Sequence, residues 1–293
     1  MQSGKPVRLA AVLAAYNRKA LTLSCLRNLF RQQVDGVALD VFLLDDASTD
    51  GTVAAISDEF PTVTLLHGDG ELYWGGGMHH AFAAAIAGDY DYYLWLNDDT
   101  HLDDGALALL LETERQLRRD GYPPAIVGGS TRHPDTGELT YGGLVAPSRW
   151  RPVRFELIPP GKDPKACDTM HGNAVLIPRA VVERIGNIDP LFIHRGGDGD
   201  YGLRARRAGC TVWIAPGTVA TCANNPPPRI GEQPLLAEYR RLWSTKILPG
   251  RPWAVYTRRW AGKLWPLVWL SPYLRGIARI TLKRTRVRVP ERS

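Results

Sequence analysis

The feature that most constrains this chain is an alternation. Over its first 120 residues, short apolar runs of strand length take turns with segments whose apolar residues recur at helical spacing. Val7–Ala15 is the first apolar run, and Leu21–Gln33 then carries Leu23, Leu26 and Phe30 on one side of a helix, with Cys25 and Leu29 on its flanks. Val41–Leu44 reads as a short buried strand, and Ser48, Thr49 and Asp50 offer capping oxygens to a helix that runs through Phe60. Val63–Leu66 is the next strand. Trp74-Gly75-Gly76-Gly77 opens an Ala-rich helix, Met78–Ala87. Tyr92–Leu96 is again a strand, and Asp103 or Asp104 caps a helix Gly105–Arg119. Repetition of this kind predicts a mostly parallel central sheet with helices on both faces.

The second half is less regular. Glu138–Ala146, with Gly142-Gly143 inside it, reads as a hairpin or a bent strand. Ala174–Ile177 is a strand, and Pro178 suits the first turn of a helix that Gly186 ends. A helix over about Asp200–Ala208 stops at Gly209, and Cys210–Ala215 is a last strand closed by Pro216-Gly217. Asn224–Pro228 is a Pro-rich loop. The remainder predicts amphipathic helices broken at Pro249, Pro252, Pro266 and Pro272. The expected organisation is an α/β domain over residues 1–235 and a helical extension over residues 236–293.

Composition narrows the function classes. With 293 residues, 44% hydrophobic and 23% charged, the chain is ordinary globular protein, and disordered, collagenous and disulfide-scaffold classes are excluded. Cys25, Cys167, Cys210 and Cys222 show no CxxC spacing, so reduced thiols are expected rather than a zinc site. The apolar N-terminal run leads straight into Tyr16-Asn17-Arg18, which suits a buried strand better than a signal peptide. No stretch reaches the ~18 apolar residues a membrane span needs. A cytoplasmic protein is the expectation.

Three strands end in polar clusters: Tyr16-Asn17, Asp45-Asp46 and Asn97-Asp98-Asp99. Open α/β sheets bind ligands outside the carboxyl ends of their strands. The adjacent carboxylates of Asp98 and Asp99 repel unless a cation or water compensates, and a divalent ion bridging to a diphosphate is one such compensation. A solvated turn that caps a helix explains the pair equally well. Asp198-Gly199-Asp200 lies among glycines before a helical segment, and it is either an N-cap or a general base facing a hydroxyl. The Trp74 glycine turn either presents backbone N–H groups to an anion or sugar, or packs a tight turn around the indole. His171-Gly172-Asn173 precedes a strand and can line the same cleft.

Five blocks occur in order: AAYNRKALTLSCLRNL, LLDDASTDGT, LWLNDDT, GNAVLIPRAVVERIGNID and GGDGDYGLRARRAG. Together they resemble the family 2 glycosyltransferases with the GT-A fold, most of all their bacterial rhamnosyltransferase-like branch. The resemblance spans roughly residues 7–225. It implies an inverting, metal-dependent glycosyltransferase using a nucleotide-sugar donor, such as dTDP-L-rhamnose or a UDP-hexose. The implied acceptor is a glycan or a lipid-linked molecule. Ala15, Tyr16, Asn17, Arg18, Asp46, Trp74, Gly75, Gly76, Asn97 and Asp98 are then expected at the donor nucleotide, with Asn17 and Asp46 against the base. Asp99 is expected at Mn2+ or Mg2+, and Asp198 as the base that deprotonates the acceptor. His171, Gly172, Asn173 and Asp200 are placed on the sugar side. Asn97 and Gly197 stand where the family usually has acids. A nucleotidyltransferase and a non-catalytic sugar-binding protein of the same fold are the rival readings.

The net charge of +6 conceals an asymmetry. Residues 239–293 hold 14 of the 36 Lys and Arg with a single acid, Glu291, and five of the nine tryptophans. A cationic, Trp-rich tail suits the anionic face of a membrane, so peripheral attachment at the cytoplasmic face is expected. A packed cap or homodimer interface is the alternative, and nucleic acid is not expected.

Overall fold

The computed structural model describes residues 5–148, 150, 153–224, 235–242 and 250–287. The chain separates into two compact units, Met1–Val145 with Glu156–Asn224, and Ala146–Phe155 with Asn225–Ser293.

The first unit begins as the alternation predicts. Strands β1 (Val7–Ala15), β2 (Val37–Asp45), β3 (Thr64–His67) and β4 (Tyr92–Leu96) alternate with helices α1 (Lys19–Phe30), α2 (Thr52–Glu59) and α3 (Tyr73–Ile86). Then come β5 (His101–Leu102), α4 (Ala106–Arg119), β6 (Ala125–Arg132), β7 (Leu139–Tyr141), β8 (Gly143–Val145), β9 (Glu156–Leu157), β10 (Lys165–Ala166) and β11 (Thr169–Met170). The unit closes with β12 (Ala174–Pro178), α5 (Arg179–Ile185), α6 (Gly197–Arg207) and β13 (Thr211–Thr221). The main sheet runs β10-β13-β6-β12-β4-β1-β2-β3. Its β1–β2, β2–β3, β1–β4 and β6–β13 ladders are parallel, and β12 lies antiparallel between β4 and β6. The mostly parallel sheet is therefore as expected.

Period-two alternation builds three layers. Leu9, Ala11, Leu13, Leu94 and Leu96 pack with Leu26 and Leu29 of α1 and Leu107, Leu110 and Leu111 of α4. Ala10, Val12, Tyr93 and Trp95 pack in a second cluster with Met78 and Phe82 of α3, Val181 of α5 and Tyr201 of α6. The Trp95 and Tyr201 ring centroids lie 4.7 Å apart, and Phe82 stands edge-on to Trp95 at 5.4 Å.

Several boundaries differ from the sequence reading. The expected helix cap from Ser48, Thr49 and Asp50 is a stitch between loops. Asp50 accepts the Thr52 N–H of α2 (3.1 Å) and the Lys19 N–H of α1 (2.9 Å), and Ser48 Oγ accepts the Asn17 N–H (2.8 Å). Neither Asp103 nor Asp104 caps α4: Gly105 holds the cap position, and Asp103 forms an ion pair with Arg132. The segment expected as one hairpin or bent strand is divided at Gly142, with β7 on the main sheet and β8 in a small sheet with β9 and β11. Strand β13 continues through Pro216-Gly217, because register shifts between Ile214 and Thr218 absorb the two residues as a bulge.

Helix α3 begins five residues before the expected Met78, with Gly75, Gly76 and Gly77 buried in its first turns. A Cβ on Gly75 would lie 1.8 Å from the Phe192 carbonyl oxygen. Gly75→Ala should therefore destabilise the fold by about 1–3 kcal/mol, as overpacking does. Urea unfolding measures this, and a midpoint equal to wild type would contradict the close approach.

The second unit contains α7 (Leu235–Leu242), α8 (Gly250–Trp260), a short 3-10 turn (Gly262–Leu264) and α9 (Trp265–Val287). The Trp253 indole N–H donates to the Trp269 carbonyl (3.1 Å), which ties α8 to α9. Pro252 and Pro266 lie in the first turns of α8 and α9 rather than breaking helices, and Pro272 is inside α9. The expected break at Pro249 and the loop over residues 225–228 lie outside the described residues. Among the described residues no helix is long and apolar enough to cross a membrane.

Candidate functional site

Topology brings the polar clusters to one edge. Strands β1, β2 and β4 are parallel, so Ala15–Arg18, Asp45–Asp46 and Asn97–Asp99 follow their carboxyl ends together. Strand β12 runs the other way, with Ala174 opposite Leu96, so the residues before it, His171–Asn173, arrive at the same edge. The Asn97 N–H donates to the Asn173 carbonyl (3.0 Å) and closes this junction.

Side chains then link most of the expected residues. The Trp74 indole N–H donates to Asn97 Oδ1 (2.7 Å). The same indole lies where Gly172 has no side chain: a Cβ there would be 2.6 Å from Trp74 and 3.5 Å from the Asp198 Cβ. Asp198, in the first turn of α6, accepts the Gly172 N–H on Oδ2 (3.1 Å) and the Gly199 N–H on Oδ1 (2.8 Å). Burial holds the His171 imidazole below the usual histidine range against the pull of Asp198, so the ring is neutral near pH 7. The carboxylate of Asp198 thus sits beside an uncharged ring and an indole.

Asp98 is buried and Asp99 nearly so, and the cation between them is Arg18. Its Nη1 lies 2.7 Å from Asp99 Oδ2 and 3.4 Å from Asp98 Oδ1. The Thr22 hydroxyl donates to Asp98 Oδ2 (3.3 Å). Burial pushes the Asp98 carboxyl up to about 7, with Arg18 opposing and Asp99 adding to the shift. The Cys222 thiol donates to Asp99 Oδ1 (3.5 Å), and burial together with Asp99 pushes that thiol up to about 12, so it remains protonated. These hard oxygen donors suit Mg2+ or Mn2+. Among the described residues no group of three or more His, Cys, Asp or Glu can hold a metal ion. An ion at Asp99 would therefore complete its sphere with ligand oxygens and water.

Hydrogen bonds within the chain engage four of the expected groups. The Gly75 and Gly76 N–H groups do not face a ligand, because both donate to the Ile193 carbonyl (2.7 and 3.3 Å). The Asp46 carboxylate accepts the N–H groups of Gly70 (2.8 Å), Leu72 (3.1 Å) and Tyr73 (2.9 Å), so it holds the start of α3. The Asn17 carboxamide oxygen is likewise taken by the Thr49 N–H (2.8 Å). Asp200 is fully buried and bonded to Arg204 (2.9 Å), whose guanidinium also reaches the carbonyls of Ile185 and Asn187. It ties α6 to the loop after α5.

Contacts that sequence reasoning did not foresee are those of Cys222 and Thr22 with the acidic pair. Cys222 follows β13, whose end pairs with β5 just after Asp99, and no local pattern announces that contact. Asp45 is buried with Oδ1 lacking a hydrogen-bond partner, although its other oxygen accepts the Ser48 N–H (2.8 Å). The loops here also concentrate strain: Asn17, Ala47 and Tyr73 have φ of 49°, 58° and 52°. Left-handed backbone in non-glycine residues costs on the order of 1–3 kcal/mol each and gathers at ligand clamps.

Comparison with known proteins gives the family and the fold. The family model described as Glycosyl transferase family 2 matches residues 10–186. An N-acetylglucosaminyl-diphospho-decaprenol L-rhamnosyltransferase of Mycobacterium tuberculosis is 26% identical over 202 residues, covering 60% of this chain and 63% of the relative. The chain therefore aligns with less than two thirds of that relative's length. A Pyrobaculum calidifontis mannosyltransferase in complex with GDP-Man and Mn2+ has a TM-score of 0.50 at 20% identity, over 82% of this chain and 62% of that one. GalNAc-T7 with UDP, GalNAc and Mn2+ has a TM-score of 0.57 at 14% identity, over 81% of this chain and 48% of that one. At these identities the two structures speak to the fold.

Proposed function

Since the chain belongs to glycosyl transferase family 2, we propose that it is an inverting, divalent-metal-dependent glycosyltransferase that moves a sugar from a nucleoside-diphosphate donor to an acceptor hydroxyl. The observation that carries this reading is the continuous path Asp98–Asn97–Trp74–Gly172–Asp198 along one sheet edge. It joins a buried acidic pair to a second, separate carboxylate. The M. tuberculosis relative, a rhamnosyltransferase named for a decaprenol-linked substrate, supports a lipid-linked acceptor and a deoxyhexose donor for this chain too.

In this reading Asp198 is the base. Two backbone N–H groups orient its carboxylate, and lone pairs remain to accept the acceptor's proton. One base with no second nucleophile gives a single displacement and inversion. Asp99, with Asp98 beside it, would hold the metal, which supplies positive charge for the leaving diphosphate. Trp74 and His171 pack beside Asp198 and would shape the pocket that receives the acceptor. A thermal-shift screen of nucleotide-sugars with Mn2+ tests the reading: the true donor raises the melting temperature and no other sugar nucleotide matches it. No shift with any donor would count against it.

The second unit supports membrane attachment. Leu267, Leu270, Leu274 and Ile277 of α9 are exposed at spacings of three and four residues, with exposed Arg275 and Arg279 on the same helix. An apolar stripe flanked by cations fits an anionic lipid surface, where each basic residue contributes about 1 kcal/mol. Flotation should show the protein on anionic vesicles and not on neutral ones, and Leu267→Ser with Leu274→Ser should weaken binding. Equal recovery on both vesicle types would refute the proposal.

A further inference from the structure

The acidic pair is not waiting for a cation, because it has one. A single nitrogen, Arg18 Nη1, spans Asp98 and Asp99 at 3.4 and 2.7 Å. The other donors on these carboxylates are the Thr22 hydroxyl and the Cys222 thiol, neither of them a cation. Among the described residues Arg18 is the only cation paired with either acid, and its guanidinium bonds to nothing else.

The construction around Arg18 separates a held backbone from a movable side chain. Just before it, Asn17 is pinned in the left-handed region by Ser48 and Thr49. The Arg18 carbonyl accepts the Thr22 N–H and hydroxyl in the first turn of α1 (2.9 and 3.0 Å). The side chain, by contrast, is 41% exposed, while the Asp98 and Asp99 side chains are 8% and 17% exposed. The carboxylates are fixed, and the cation can leave toward solvent. A divalent ion held by Asp99 would compete with the guanidinium for that carboxylate.

We propose that Arg18 is an exchangeable counter-cation, which pairs with Asp98 and Asp99 in the donor-free protein and is displaced by the metal onto the donor's diphosphate. The proposal rests on the reading of Asp99 as the metal-binding residue. Its physical content is a coupling between two ligands. Metal alone must displace Arg18 and leave the guanidinium without an anion. Metal arriving with a diphosphate gives the metal its acid and the guanidinium a new, bidentate partner. The two ligands therefore favour each other's binding by the same factor. Arg18 is a positioning residue in this scheme.

The test follows free Mn2+ by electron paramagnetic resonance in titrations of the full chain, with and without UDP or dTDP, corrected for Mn2+ held by free nucleotide. The wild type should bind Mn2+ at least tenfold more tightly with the nucleotide than without it. Arg18→Gln should bind Mn2+ alone about tenfold more tightly than wild type and lose most of the nucleotide's enhancement. Arg18→Lys should restore weak binding, and Lys19→Gln, which removes an exposed neighbouring charge, should change little. Arg18→Gln affinity equal to wild type, or a gain matched by Lys19→Gln, would overturn the exchange. Asp99→Asn separates the two levels. If it abolishes Mn2+ binding while Arg18→Gln behaves as wild type, only the exchange fails. If Mn2+ binding survives Asp99→Asn, or no Mn2+ binds under any condition, the metal reading fails and takes the exchange with it.

Discussion

Asp198→Asn leaves donor binding nearly unchanged and lowers transfer by at least the 10²–10⁴-fold that a positioned general base contributes. The amide cannot take a proton. It also has one acceptor oxygen where the carboxylate has two, so either the Gly172 or the Gly199 N–H loses its partner. That loss costs on the order of 1–3 kcal/mol of stability, so the variant is compared at a temperature where a melting curve shows it folded. Donor affinity is read by calorimetry and transfer by product formation. Transfer at the wild-type rate would remove Asp198 from the chemistry. Loss of donor binding together with transfer would reassign it to the architecture of the β12–α6 junction.

The second large effect concerns the metal. Dialysis against EDTA should suppress transfer, and Mn2+ or Mg2+ should restore it. The acids are too few for a tight cage: the described residues offer no cluster of three or more ligands, and Arg18 already pairs with both Asp98 and Asp99. The metal should therefore be removable by mild chelation. Asp99→Asn should raise the metal concentration needed for half-maximal activity more than tenfold, since Asp99 is the more accessible acid of the pair. Full activity in chelator would detach the metal from this site, while leaving the assignment of Asp198 intact.

The site was legible in outline and not in detail, and particular residues show why. Polar clusters after three apolar runs marked the sheet edge, because parallel strands must deliver their carboxyl ends to the same side. Asp46 shows the limit of that reasoning. A carboxylate after a strand can meet a ligand or three backbone N–H groups, and only the path of the loop to α3 decides. Asp200 shows it again, since only Gly199 separates it from Asp198 but its side chain turns inward to Arg204. Trp74-Gly75-Gly76-Gly77 misled for a different reason. Consecutive glycines disfavour helix locally, yet here they sit inside α3 because the Phe192 carbonyl occupies the place of a side chain. Strand β6, with two adjacent glycines, carries too short an apolar signal to be recognised and is held by its ladders to β12 and β13.

The sequence by itself determined the layered α/β class and the order of its first strands and helices. Periodicity and composition are local properties, and each segment carries them wherever it folds. Tertiary structure alone decided what each acid meets within the chain. It seated Arg18 between Asp98 and Asp99, closed Asp46 and Asp200 into backbone and ion-pair contacts, and brought Cys222 to Asp99 across 123 positions. A carboxylate's role depends on what else reaches its two oxygens, and those partners come from elements far away in the chain.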